Sequence, residues 1–307
     1  MVINLFSSIY QGAVWQYISE NKTAYGQLTS SLVTIMLITA LACFIVSELT
    51  HNLSQVDKIW SLMPIVYSYV TLSAFPSSPR IWLMSTLVTV WGIRLSYNFY
   101  RRGGYNIIPW KGEEDYRWDI LRQNPKLQKG YRITLFNLLF ISFYQHLLIL
   151  LFSTPLLMAA KYANVSLTFL DYLAATFMFF FIVIETIADN QLHDFQIQKR
   201  GKIPFNGKFS DSLTKGFLTE GLWKYSRHPN FAAEQTIWIC FYFFGVAASG
   251  RWINWTLIGP AMLILLFAGS SEFTESISLK KYPTYENYKQ NVPKFIPLIF
   301  KTKRKRG

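Results

Sequence analysis

The chain predicts an all-α fold: a polytopic integral membrane bundle of about seven transmembrane helices. Three observations carry that prediction. Hydrophobic residues make up 51% of the chain and charged residues only 15%, where a soluble domain carries about 25% charged residues. The apolar residues fall in long runs, such as Val165 to Ile187, and about 20 apolar residues cross a bilayer. Basic residues are clumped between those runs: segments 101–132, 188–230 and 269–307 hold 8, 7 and 9 of the 30 Lys and Arg residues.

Taken in order, residues 1–30 form an interfacial segment. Met1 to Glu20 has no basic n-region and no clear cleavage site, so it does not read as a removable signal peptide. Its aromatic residues Phe6, Tyr10, Trp15 and Tyr17 suit a helix lying along the membrane surface. Spans follow at roughly 31–50, 56–75, 81–100, 132–155, 165–187, 231–249 and 252–269. Asp57 and Lys58 open the second, and Pro64 interrupts it. The last two form a tight hairpin around Ser249-Gly250-Arg251. The whole chain, 1–307, reads as a single membrane domain.

Charge orients the spans. The three basic segments follow spans three, five and seven, so all lie on one side, which the positive-inside rule makes cytosolic. The other side keeps only Lys22, Arg80, Lys161 and Arg251. The net charge of +13 therefore reads as topology, with contact to anionic lipid. Nucleic acid is not an expected partner, because no basic segment outside the membrane is large enough to fold. Four N-x-S/T sequons occur, at Asn21, Asn52, Asn164 and Asn254; all but Asn52 fall on the expected lumenal side, too near the membrane to expect occupancy. Lys303 to Gly307 fits the K-x-K-x-x retrieval signal of the endoplasmic reticulum, and equally an ordinary basic tail. Cys43 and Cys240 lie inside apolar runs and read as small core residues. The four histidines and two cysteines are too scattered to give metal-ligand spacing.

Four polar clusters interrupt this pattern, all at the expected cytosolic face. Polar groups at a membrane boundary are costly and point to function. The first leaves span five: Glu185, Asp189, Gln191, His193, Asp194, Gln196 and Lys199. Glu185 and Asp189 are i,i+4 neighbours, a repulsive pair that needs neutralising by Arg227 or a ligand hydroxyl. The second is Gly221 to Phe231, with Glu234 beyond it. The chain turns at His228 before Pro229, which opens span six. Unpaired N–H groups there, beside Arg227, suit an anion. Asn230 and Glu234 share one face of the helix. The third holds Glu272, Glu275, Lys280, Lys281, Tyr282, Tyr285 and Tyr288. Its tyrosines share one side of a helix, and either stack on a flat cofactor ring or form an interfacial aromatic belt. The fourth comprises Ser54 to Trp60, Trp91 to Ser96, Arg101-Arg102 and Gly112 to Arg117, where Asp57 and Arg94 suit pairing. Mid-span His146, beside Gln145, either lines a cavity or makes an interhelical hydrogen bond.

These residues resemble the steroid 5α-reductase-like family, and within it the branch called DUF1295, over about Ser54 to Phe300. Glu185 to Gln191, Gly221 to Glu234 and Tyr282-Pro283 to Pro297 carry the general resemblance. Val56-Asp57 to Trp60, Trp91 to Leu95 and Gly112 to Arg117 mark the branch. The resemblance implies substrate-side spans within 31–160 and an NADPH-holding half over 161–307. No G-x-G-x-x-G follows a strand, so a Rossmann site is excluded. By likeness, Glu185 and Asp189 would contact the ribose or nicotinamide region, Arg227 and Lys199 the phosphates, and Asn230 and Glu234 the carboxamide. Tyr225 and His228 fall within the same motif, and Tyr282, Tyr285 and Tyr288 would close the site. The better-known steroid reductases carry an asparagine where this chain has Glu185. Their catalytic acid and tyrosine are matched only by position, at Asp57 and Tyr97. Arg227-His228-Pro229, Glu272 and the Tyr285–Tyr288 tail also resemble membrane methyltransferases acting on isoprenylcysteine and phospholipids with S-adenosylmethionine.

Three expectations follow. The first is an endoplasmic reticulum reductase that uses NADPH on a polarised double bond of a lipid or sterol-like substrate within the bilayer. The second is a lipid methyltransferase using S-adenosylmethionine. The third is a non-enzymatic lipid-binding membrane protein.

Overall fold

A computed structural model describes residues 24–125, 130–202 and 207–296. The aromatic N-terminal segment, the Asn21 sequon and the Lys303–Gly307 tail lie outside the described residues. Among the described residues every regular element is helical.

Five helices are long and apolar enough to cross a membrane. They are α1 (Ala24–Thr50), the continuous stretch Gly130–Ser153, α9 (Phe169–Lys199), α11 (Pro229–Ser249) and the stretch Trp255–Lys281, most of it α12 (Ile258–Lys281). The protein is therefore an integral membrane protein. The expected second span divides into α2 (Gln55–Trp60) and α3 (Met63–Ala74). Pro64 sits in the first turn of α3, where its missing N–H is no loss, so it starts a helix instead of interrupting one. The expected third span is a single helix, α4 (Pro79–Arg101). Its 23 residues suffice in length, but Arg80, Arg94 and Arg101 make it more polar than the other five. A short helix, α5 (Tyr116–Arg122), follows.

The Gly130–Ser153 stretch is not uniform. It opens as α6 (Gly130–Phe136), widens into a π-helical segment over Asn137–Tyr144, and closes as α7 (Gln145–Ser153). Then come α8 (Pro155–Lys161), α9, α10 (Ser210–Lys215), a 3-10 turn at Gly221–Lys224, α11, a 3-10 turn at Trp255–Leu257, α12 and α13 (Tyr285–Asn291).

The chain divides into two compact units. One comprises Met1–Ala175 with Cys240–Met262, the other Thr176–Ile239 with Leu263–Gly307. In the first, Leu32, Met36, Tyr67, Met84, Val88, Trp91, Ile149 and Phe152 form a buried core. Close approach is set by glycines. A Cβ on Gly92 of α4 would stand 2.7 Å from the carbonyl of Ser61. A Cβ on Gly259 would collide with the Leu151 carbonyl and the Phe152 backbone. One end of this unit is held by Arg80 and Asp171, both wholly buried. Arg80 donates twice to that carboxylate, at 2.7 and 3.0 Å, and to the carbonyls of Val165 and Ser166. The Asn254 side chain caps the 3-10 turn through the Thr256 amide and hydroxyl, at 3.1 and 2.6 Å, and of the three residues in that turn Thr256 is buried.

In the second unit, Phe195, Leu218 and Trp223 form a buried cluster with Leu192, Phe209 and Leu213 against it. Phe231 of α11 packs on Phe267 of α12, with ring centroids 4.7 Å apart.

Candidate functional site

The cofactor residues expected from the sequence all fall in the second unit, where they form three adjoining groups. The first is acidic. Glu185 and Asp189 lie one turn apart on α9, and Glu234 sits on α11; all three are at most 4% exposed. Asn230 joins the two helices by donating to Asp189 Oδ1 at 3.1 Å. Its own carbonyl oxygen is buried without a partner. Trp238 donates its indole N–H to Glu234 at 2.9 Å. The i,i+4 spacing expected within each helix is what brings these acceptors together.

The second group is built on Arg227. Its guanidinium does not meet Glu185 or Asp189, which the sequence had offered as partners. It donates to both oxygens of Glu275, at 2.8 and 3.3 Å, and to the carbonyls of Lys289 and Val292, at 2.7 and 2.5 Å. His228 Nε2 lies 2.9 Å from the same Glu275 oxygen, and its ring stacks on Phe231. The amides of Arg227 and His228 donate to the carbonyls of Pro293 and Lys294. These two amides, just ahead of the helix start, are thus taken up by the chain itself. Arg227 clamps the entrance of α11 to the end of α13, and four of its donor contacts are with protein.

The third group is the rim. Lys199 Nζ donates to the Tyr282 hydroxyl at 2.7 Å and to the Gly216 carbonyl. Burial pushes the pKa of the Tyr282 phenol up, but Lys199 and Lys281 beside it win and hold it below the usual tyrosine range. Tyr282, Tyr285 and Tyr288 surround Phe217, with centroids at 5.9, 5.0 and 5.6 Å. Tyr288 also donates to the Trp223 carbonyl. Their common face therefore covers an internal aromatic residue. Tyr225 is 61% exposed. Gln191 orders the Gly221 turn: its Oε1 accepts from the Leu222 amide at 2.9 Å. Gly221 has φ +64°, and a Cβ there would strike the Gln191 amide, so only glycine fits.

The fourth sequence cluster folds as one body in the first unit. Lys58 is buried, and its ammonium donates to Gln55 Oε1 and to the carbonyls of Pro109 and Lys111, at 3.0–3.1 Å. Gln55 donates to the Trp110 carbonyl, Asn52 to that of Gly112, and Tyr105 to that of Lys58. Glu114 receives Arg122 in a bidentate pair at 2.5 and 2.6 Å, and Asp115 receives Arg117. Asp57 is half-buried and accepts weakly from the Trp118 indole at 3.4 Å. Tyr97 is 62% exposed on α4 with Arg101 over its ring, and it makes no hydrogen bond with Asp57.

Glu275 and Phe217 carry the second unit, and the sequence singled out neither for that role. A glutamate one turn from Glu272 in an apolar helix was the available signal for the first. Nothing in the local pattern marked Phe217. Among the described residues no three His, Cys, Asp or Glu side chains are grouped to hold a metal ion.

This all-helical membrane architecture, with polar clusters drawn from Ser54–Trp60, Trp91–Ser96 and Gly112–Arg117, defines the class of protein. Residues 43–292 match the family described as "Protein of unknown function (DUF1295)", and the chain belongs to that family. It is similar to a protein of Schizosaccharomyces pombe (strain 972 / ATCC 24843) described as "Uncharacterized protein C594.04c", with 37% identity over 265 residues, covering 83% of this chain and 75% of the relative. No solved structure matches it.

Proposed function

We propose that this protein is an endoplasmic reticulum membrane oxidoreductase that uses NADPH to reduce a polarised double bond of a lipid or sterol-like substrate, with its C-terminus cytosolic. The supporting observation is the bridge between Asn230 and Asp189, which joins the acidic faces of α9 and α11. Three buried carboxylates and the Asn230 carbonyl make a set of acceptors. Such a set fits the hydroxyls of a ribose and the N–H groups of a carboxamide. Lys199, Lys281 and Tyr282 supply the cationic rim that phosphates need. The donor set thus fits NADPH, with Arg227 holding the fold of the site. NADPH when bound supplies the hydride. The chain must orient it and deliver a proton where charge develops.

The acidic group also suits the sulfonium cation of S-adenosylmethionine, which keeps a lipid methyltransferase as the second reading. The test is equilibrium binding of NADPH and of S-adenosylmethionine to detergent-purified protein, with Asp189→Asn and Asn230→Ala as site variants. Saturable NADPH binding, weakened at least tenfold in both variants, supports the reductase. Binding of S-adenosylmethionine in its place selects the methyltransferase. Binding of neither leaves a lipid-binding protein without a cofactor and overturns both.

A further inference from the structure

The first unit holds a buried titratable side chain that the proposed reaction does not use. His146 is wholly buried near the start of α7, inside the apolar stretch Gly130–Ser153. Its Nδ1 lies 2.5 Å from the Ser142 carbonyl. A carbonyl only accepts, so Nδ1 carries the proton. Nε2 of the neutral ring is then a lone-pair acceptor, and it is buried with no partner.

A polar ladder runs up to Ser142, the residue whose carbonyl holds the ring. Glu48 of α1 receives Thr134 at 2.9 Å and Asn137 at 2.7 Å. Asn137 also donates to Ser47, and its Oδ1 accepts from the Ser142 hydroxyl at 3.3 Å. Asn137 and Ser142 both belong to the π-helical segment. π-Helical turns are rare and collect at functional sites, where they re-aim side chains.

A second orphan lies on a neighbouring helix of the same unit. Tyr67, on α3, is wholly buried, and its hydroxyl has no partner. α3 packs directly against α7. A buried polar atom left unsatisfied is expensive, and two on neighbouring helices call for a shared explanation. Together they offer one acceptor, His146 Nε2, and one group able to donate, Tyr67 Oη. That is the complement of an alcohol, which both donates and accepts.

We propose that the first unit binds an apolar, lipid-like ligand through its hydroxyl group, which donates to His146 Nε2 and accepts from Tyr67 Oη. The proposal needs no cofactor, so failure of NADPH to bind would leave it standing.

The test is nitrogen NMR of protein labelled with 15N-histidine in lipid nanodiscs, with the His146 signal assigned by its loss in His146→Gln. Hexadecanol, hexadecyl methyl ether and hexadecane are the probes. The ether can accept from Tyr67 but cannot donate to His146. Hexadecanol should shift Nε2 toward the hydrogen-bonded range in a saturable way, and the ether and alkane should not. Tyr67→Phe should weaken hexadecanol binding roughly tenfold, the effect of one buried hydrogen bond, with little change in melting temperature. A Nε2 signal already hydrogen-bonded without any probe, and unmoved by hexadecanol, would assign the position to water and overturn the proposal. So would a fall in melting temperature for Tyr67→Phe with unchanged affinity, which would make the phenol structural.

Discussion

Glu275 meets three side chains at once, Arg227, His228 and Lys289, and has no exposed surface of its own. Removing one partner of a buried ion pair leaves the other uncompensated, at about 3–5 kcal/mol. Glu275→Ala should therefore unfold the second unit at a markedly lower temperature in a detergent melt, while Glu272→Ala, at an exposed position, should melt near wild type. Asp115 gives a pH-dependent counterpart in the first unit. Burial pushes its carboxyl up, but the hydrogen bonds and charge of Arg117 outweigh burial and hold it below its ordinary value of 3.8. A depressed carboxylate stabilises the fold above its unfolded value and loses that contribution as pH falls through the folded value. Amide protection across residues 112–118 should thus persist to pH 3.8 and fall below it, and Asp115→Asn should remove that dependence. Hydrogen exchange at a series of acid pH values would read both. At this scale the sequence showed which side chains were unusual but not whom they meet. Arg227 stood out because it opens a span. Its partner could not be read, because 48 residues separate it from Glu275.

Elements were legible where hydropathy alone decides them. The spans expected at 31–50, 132–155, 165–187, 231–249 and 252–269 all exist as long apolar helices. Their ends moved outward where a polar helix continues past the apolar run, as α9 does through Gln191 to Lys199. Within the second expected span only the role of Pro64 differed, because a proline looks the same in sequence whether it interrupts a helix or begins one. The π-helical segment over Asn137–Tyr144 left no trace, since Asn137-Leu138-Leu139-Phe140 reads as ordinary span. Close packing between elements was equally silent. Gly259 admits the α7 backbone, and overpacking at such a contact costs about 1–3 kcal/mol or more. Gly259→Ala should lower the melting temperature clearly, whereas Gly269→Ala, with open space around its Cβ position, should not.

For the molecule as a whole, topology is the open measurement. Seven spans place the Pro76–Ser78 turn opposite the Tyr105–Trp110 loop. Ser77→Cys and Ile107→Cys, both exposed positions, should then react with an impermeant maleimide from opposite sides of sealed membranes. Reaction from one side would make α3 and α4 a re-entrant pair. The fold also constrains its own biogenesis. Arg80 and Asp171 are separated by 91 residues, so at about 5–20 residues per second the arginine leaves the ribosome roughly 5–20 s before its partner. Arg80 is the second residue of α4, and an unpaired arginine at a helix end keeps its guanidinium at the polar interface. The Arg80 guanidinium can be drawn into its buried pair only when Asp171, at the start of α9, arrives. The unit it belongs to also needs Cys240–Met262, so the part of the chain translated first is completed late, and the insertion machinery must shelter it meanwhile.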